Sequence, residues 1–275
     1  MTHSVDASPL GQKTAYISSY DASLLFPIAR SESRKALGIS SDLPFYGYDI
    51  WTGYELSWLN TKGKPEVAVA EFKIPCDSPC IIESKSFKLY LNSFNQTRFS
   101  GLNDVKNILL KDLSAVAGSD VGVDLRSLSD SNLLVDVTHN ALCLDNLDIN
   151  VDVYHPDPSL LIADASNEVA EVLCSHLLKS NCPVTGQPDW ASVFIEYSGA
   201  KINPENLLRY VISFREHQDF HEHCVERIFM DLLRTCKPKT LSVYARYTRR
   251  GGLDINPFRS TESTAVPRVG RLLRQ

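Results

Sequence analysis

The sequence predicts an α+β protein built from two similar modules, each an antiparallel sheet with a pair of helices on one face. Three observations lead there. Segments with period-two alternation flank stretches of helical period. The helical stripe Phe87, Tyr90, Leu91, Phe94 recurs 120 residues later as Leu207, Tyr210, Val211, Phe214. The helix that follows each stripe also matches, through Val105/Val225, Ile108/Ile228 and Leu113/Leu233.

Taken in order, residues 1–45 carry Pro9 and Gly11 and short apolar clusters without sustained period, and read as an arm. Asp49–Leu59 and Glu66–Ile74 alternate around the turn Lys62-Gly63-Lys64-Pro65 and read as a long hairpin. After Pro75–Pro79 the period changes to helical, first over the Phe87 stripe and then over Leu102, Val105, Ile108, Leu109 and Leu113. Further strands are expected at Val121–Leu125, Leu133–Thr138 and Leu147–Val153. The first module then spans 46–158 and the second 159–275. In the second, a helix-like segment leads to Cys182, Ala191–Tyr197 and Thr240–Tyr247 read as strands, and the two recurring helices lie between them.

The chain of 275 residues carries a net charge of −5, so nothing global points to nucleic acid. Seven Arg between 246 and 275 face only Asp254 and Glu262, a local +5 that suits a phosphate-bearing ligand. Seven cysteines are an odd number in a chain large enough to hold a core without staples. With a polar start and no apolar run near a membrane span, they suggest free thiols in the cytoplasm. No G-x-G-x-x-G, P-loop or G-x-S-x-G pattern is present, so a nucleotide cofactor must be held in another way.

Chemistry concentrates at Asn181–Trp190, N-C-P-V-T-G-Q-P-D-W. Cys182 on a Pro/Gly loop ahead of a strand can be held rigidly yet meet a ligand, and Asp189 can take or return a proton. The plainer reading is a buried thiol beside a turn aspartate. His221 and Glu222, between the helices of the second module, offer a proton shuttle and a carboxylate for N–H groups. His217, His221, His223 and Cys224 also suggest zinc, but no H-E-x-x-H supports it, and no metal is expected. Glu83, ahead of Ser84 and Lys85, is either a helix N-terminal charge or a second ligand-facing carboxylate.

The run E-S-K-S-F-K-L-Y-L-N-S-F-N-Q-T-R-F (Glu83–Phe99) resembles the signature of the NADPH-dependent 7-cyano-7-deazaguanine reductases, the nitrile reductases of queuosine biosynthesis in tRNA modification. L-P-F-Y-G-Y-D-I-W, Y-E-L-S-W-L-N, N-C-P-V-T-G-Q-P-D-W, F-H-E-H-C and Y-T-R-R-G-G-L-D-I-N-P-F-R-S agree with it too. The resemblance implies tandem tunnelling-fold (T-fold) modules, a homodimer, and no direct nucleic-acid or membrane partner. It implies Cys182 as nucleophile forming a thioimide, Asp189 as general acid and His221 as assistant in proton transfer. Ile82, Glu83, Ser84, His221 and Glu222 would hold the substrate, and Ser84, Lys85, Arg250 and Gly251 would hold NADPH, two per turnover. A cysteine-dependent nitrile or amide hydrolase, a non-catalytic purine- or pterin-binding module, and a zinc cyclohydrolase remain as alternative functions on the same fold.

Overall fold

A computed structural model describes residues 17–40, 42–128 and 140–275. These divide into two compact units that are not consecutive stretches of chain. The first holds described residues 17–36, 48–128 and 249–255; the second holds 37–40, 42–47, 140–248 and 256–275.

In the first unit a 3-10 turn at Ala22–Leu24 leads into β1 (Pro27–Ala29) and α1 (Arg30–Ala36), a helix too short and too polar to show a stripe. Arg30 is buried and donates to Asp49 Oδ2 at 2.5 Å and to Ser78 Oγ at 3.2 Å. The start of α1 is thereby fastened to the strand bearing Asp49 by a buried charge pair. The hairpin forms as expected from β2 (Tyr46–Leu59) and β3 (Pro65–Pro75), antiparallel, with Trp51 opposite Phe72. Asn60 makes its turn by accepting the backbone N–H of Lys62 and Lys64, and Gly63 supplies the left-handed residue. Next come β4 (Cys80–Ile82), paired with β1, then α2 (Ser84–Ser93), α3 (Leu102–Ala117) and β5 (Gly122–Arg126). Phe87 packs edge-on to both Trp51 and Phe72, which sets the apolar stripe of α2 on the hairpin.

The second unit contains β6 (Leu142–Cys143), β7 (Ala163–Asn181), β8 (Pro188–Ile202), α4 (Pro204–Ser213), α5 (His221–Cys236), β9 (Thr240–Tyr247) and the rear of β10 (Leu253–Ser260). Its strands run in the order β10-β9-β8-β7-β6. All pairs are antiparallel except β6 with β7, which is parallel.

Two expectations change, and a third falls outside the described residues. The segment before Cys182 is not helical: it is the 19-residue strand β7. Val169, Val172, Leu173 and Leu177 fall at helical spacing, and a register shift between Ser175 and Leu178 breaks the alternation that would have betrayed a strand. Residues 147–153 are not a strand either. Their alternation is genuine, with odd positions half-buried, but the segment lies along α4, where Arg209 Nε donates to Asn150 O, and forms no ladder. The strand expected at Leu133–Thr138 lies outside the described residues.

The repeat is visible in side-chain chemistry. Helices α2 and α4 each have ten residues, and α3 and α5 each have sixteen. Tyr90 donates to Asp112 at 2.7 Å, as Tyr210 does to Asp231 at 2.7 Å. Ser93 and Ser213 both donate back to a tyrosine carbonyl at 2.6 Å. Phe94 and Phe214 meet their tyrosines edge-on. Tyr90 and Asp112 are 22 residues apart, Tyr210 and Asp231 only 21. The second helix pair has therefore lost one residue between helices. Leu232, fully buried, rather than the half-buried Leu233, is the counterpart of Leu113.

Candidate active site

The loop bearing Cys182 closes the hairpin of β7 and β8, where Asn181 pairs with Pro188 and Ser180 with Asp189. Cys182 N–H donates to Gln187 O at 2.8 Å, and Gly186 N–H donates to Cys182 O at 3.0 Å. Gly186 has φ +66 with open space around an added Cβ, so the backbone conformation, not crowding, demands glycine there. Two prolines and these two bonds hold the thiol, which is buried, in one position.

The loop is tied to the segment that launches α5. Asn181 N–H donates to His217 O at 2.8 Å, and Asp219 N–H donates to Asn181 O at 3.1 Å. Asn181 Nδ2 reaches His217 O, and Lys179 Nζ reaches Arg215 O at 2.7 Å. Through this clasp the first residue of α5, His221, arrives beside Asp189: its Nε2 lies 3.3 Å from Asp189 Oδ1. Both groups are buried. His221 Nδ1 is buried and has no hydrogen-bond partner among the described residues, so it is available to a ligand. Glu222, also buried, follows in the first turn, where the helix dipole favours a negative charge.

Two features here escaped the sequence. The His221 ring lies flat on the ring of Tyr247, centroids 3.7 Å apart and planes 5° from parallel. Burial, with Cys224 and Asp189 nearby, pushes the Tyr247 phenol well above its ordinary range, so it stays protonated. Asp219 gathers the other histidines: His223 Nδ1 donates to Oδ1 at 2.9 Å, and His217 Nε2 lies 3.6 Å from Oδ2. Burial opposes ionisation of Asp219, yet those two histidines and the Phe220 N–H hold its carboxyl well below the usual carboxylate range. The zinc quartet therefore does not converge, because its imidazoles serve two different carboxylates. Burial likewise pushes the Cys224 thiol well up.

One other group among the described residues, Cys143, Cys174 and His176, brings its ligand atoms within 4.8 Å of one another. Burial and the neighbouring Cys143 push the Cys174 thiol up to about 12, which works against the thiolate that metal binding needs.

The remaining candidate residues lie in the first unit. Ile82 ends β4, and Glu83 caps α2, accepting the N–H groups of Lys85 at 2.8 Å and Ser86 at 2.7 Å. Burial raises the Glu83 pKa although both backbone bonds and two lysines pull it down. Arg250 and Gly251 form a tight turn in which Arg250 N–H donates to Leu253 O. A Cβ on Gly251 would stand 3.4 Å from Lys88 Cδ, so this turn abuts α2 one helical step beyond Ser84 and Lys85. The structure thus brings the four cofactor candidates to one corner and adds Lys88, which the sequence showed only as part of the Glu83 run. The donor set fits a nucleotide phosphate. Glu83 already occupies the helix-end N–H groups, so the groups at this corner that would hold a phosphate are the side chains of Lys85, Lys88 and Arg250.

Comparison with known proteins gives the family. A family model described as "Nitrile reductase, 7-cyano-7-deazaguanine-reductase N-term" matches residues 16–125, and one described as "QueF-like protein" matches 188–265. Proteins named NADPH-dependent 7-cyano-7-deazaguanine reductase are 58% identical over 271 residues in Burkholderia orbicola (98% of both chains) and 58% identical over 269 in Burkholderia multivorans (98% of both). The Paraburkholderia phytofirmans protein of that name is 56% identical over 271 residues, covering 98% of this chain and 99% of its own. Among solved structures, the archaeosine synthase QueF-Like in the apo form matches at 22% identity over 36% of this chain, with a TM-score of 0.31, too low to bear on the fold. With identity of this order sustained across nearly the whole sequence and both family models matched, the chain belongs to the family of NADPH-dependent 7-cyano-7-deazaguanine reductases, with an α+β fold of tandem tunnelling-fold modules.

Proposed function

We propose that the chain reduces the nitrile of 7-cyano-7-deazaguanine to the aminomethyl group with NADPH, through a covalent thioimide on Cys182. The observation that carries the chemistry is the pairing of Asp189 with His221 beside the rigid Cys182 loop. A nitrile is a poor hydride acceptor, whereas a protonated thioimide resembles an iminium and accepts hydride readily. The Cys182 sulfur adds to the nitrile carbon, and Asp189 gives its proton to the nitrile nitrogen. His221, 3.3 Å from that carboxylate, replaces the proton and faces the ligand with its other nitrogen. NADPH, when bound, supplies a hydride in each of two rounds. Between them the C–S bond breaks and the thiol is restored, so nitrile, two NADPH and two protons become amine and two NADP.

Glu222 accepts the ring N–H and exocyclic amine of the deazaguanine, and Ile82, Glu83 and Ser84 are assigned to the same ligand. Lys85 and Arg250, with Ser84 and Gly251, are assigned to NADPH. Incubation with the nitrile alone tests the reading: intact mass should rise by the full mass of the nitrile, because addition expels nothing. A wild-type protein that gains no mass, or a Cys182→Ala protein that still turns over, would sink it.

The same family membership supports a cytoplasmic homodimer that acts on the free base and not on nucleic acid. The recurrence of the helix pair is what supports a tandem division into 46–158 and 159–275 behind an arm of 1–45. Sedimentation velocity decides the dimer. For the membrane, the structure says only that no helix among the described residues is long and apolar enough to cross one.

A further inference from the structure

We infer that Gln275 is a positioning residue for the His221–Asp189 pair, acting through Tyr247. The inference rests on the role given to that pair above.

Cross-strand neighbours Cys174, Phe194, Tyr244 and Phe258 form one row across the sheet of the second unit, and Leu272 covers them. By strand alternation Arg246 points to that same side as Tyr244, and Tyr247 points to the other, where its ring carries His221. Gln275 is buried and joins the two sides. Its Nε2 donates to Tyr247 O at 2.9 Å and to Asn256 Oδ1 at 2.9 Å. Its Oε1 accepts from Arg246 Nε at 2.6 Å and from Leu272 N at 3.0 Å. Asn256 Oδ1 in turn accepts the Tyr247 N–H at 3.1 Å.

The amide orientation is fixed by its partners. Arg246 can only donate and a carbonyl can only accept, so oxygen must face the first and nitrogen the second. Both donors and both lone pairs of the Gln275 amide are used, and no other side chain of this length offers that set. Tyr247 is the last residue of β9; it still pairs with Ala191 of β8, but the pairing of β9 with β10 ends at Tyr244. Its N–H and C=O are held instead by Asn256 and Gln275. Pinning both backbone polar groups fixes the direction of the Tyr247 Cα–Cβ bond, full burial holds the ring in one plane, and that plane sets the tilt of the imidazole stacked on it.

Gln275→Glu is the diagnostic change. It keeps size and the acceptor facing Arg246, but it removes both donors and aims a carboxylate oxygen at two other acceptors. Gln275→Ala removes the whole amide. Leu272→Ala serves as the control: it removes apolar packing from the same segment but keeps every hydrogen-bonding group of the network, the Leu272 N–H included. Selective 13C labelling of histidine, with the His221 ring signal assigned by its loss in His221→Gln, reads the stacking directly, since Tyr247 shields that ring. In folded Gln275→Glu or Gln275→Ala protein the signal should move toward the position of an unstacked imidazole. In Leu272→Ala it should stay, even if the melting temperature falls. Formation of the Cys182 adduct should slow about ten- to a hundredfold in the Gln275 variants, as expected for misplacement of a catalytic group by a fraction of an ångström. Their affinity for the amine product should stay near wild type. An unmoved ring signal in both folded variants, or a moved signal with a wild-type adduct rate, overturns the inference. A wild-type protein that forms no adduct sinks the thioimide reading instead, while the ring signal still decides whether Gln275 positions His221.

Discussion

At the scale of single residues, chemistry depends on groups that are held, buried and unable to relax. Cys182→Ala should abolish adduct and turnover, and Asp189→Ala should slow adduct formation about a hundredfold or more, as loss of a general acid does. Substrate protection assays and single-turnover mass measurements check both. Asp219 makes a pH-dependent prediction. Its carboxyl is held below its ordinary range by His217 and His223 despite burial, so the folded state stabilises the ionised form. That stability is fully present above the unfolded carboxylate pKa of about 3.9 and is lost as pH falls through the depressed folded value. The difference in unfolding free energy between wild type and Asp219→Asn should narrow as urea titrations move below about pH 4. A gap that stays constant would mean the histidines do not stabilise the charge. Deep in the second unit, Arg259 Nη2 pairs with Glu226 Oε1 at 2.9 Å with both side chains wholly buried. Glu226→Ala would strand a guanidinium, and the expected loss is about 3–5 kcal/mol of stability, measurable by denaturant unfolding.

At the scale of elements, two short motifs aim the reactive groups. The β7–β8 hairpin holds Cys182, and its clasp to residues 217–219 delivers His221 at the start of α5. Gly186→Ala tests the loop alone, because nothing crowds the new methyl and only the left-handed φ resists it. A cost of about 1–2 kcal/mol to the native loop is expected. It should appear as slower adduct formation with little change in the melting temperature of the whole. The corner of α2 with the Arg250–Gly251 turn forms the other motif. Arg250→Ala should raise the Michaelis constant for NADPH about tenfold or more while adduct formation with the nitrile alone stays near wild type. Equal loss of both would instead mark Arg250 as a residue needed for folding.

At the scale of the whole molecule, the duplicated α+β module is used unequally. Both copies keep the Tyr–Asp hydrogen bond that ties their first helix to their second, and the serine back-bond and edge-on phenylalanine that finish the first helix. The copies differ at the ends of those helices. Glu83 caps α2 with two backbone bonds, whereas Asn203 caps α4 with one. The second copy alone has His221 and Glu222 opening its longer helix. Two NADPH should be consumed for each amine released, measured as absorbance loss against product mass. A ratio near one would show that reduction stops at the imine.

The sequence by itself determined the class of fold, the hairpin, both helix pairs and the motifs that place the chain in its family. Those are properties of period and of short runs, where local spacing and side-chain type decide the outcome. It also marked Cys182, Asp189 and His221, since a thiol on a Pro/Gly loop and a histidine at a helix start are visible locally. The strand character of β7 was hidden, because a bulge broke its alternation and left apolar residues at helical spacing. β10 was not legible as a strand, because its alternation over Leu253–Asn256 stops at Pro257 and all of its residues, Asp254, Asn256, Arg259 and Ser260 included, are buried, so neither face carries an exposed polar stripe. The half-buried alternation of 147–153 misled in the opposite sense: alternation reports which side is covered, and only a partner makes a strand. The Tyr247 ring beneath His221, the shared Asp219 and the Gln275 amide were decided by tertiary structure alone. Tyr247 with His221, and Gln275 with Tyr247, join residues distant in sequence, and no local pattern encodes which distant partner a group will meet. Asp219 meets His217 and His223 nearby in the chain, but spacing alone does not say which carboxylate each imidazole serves.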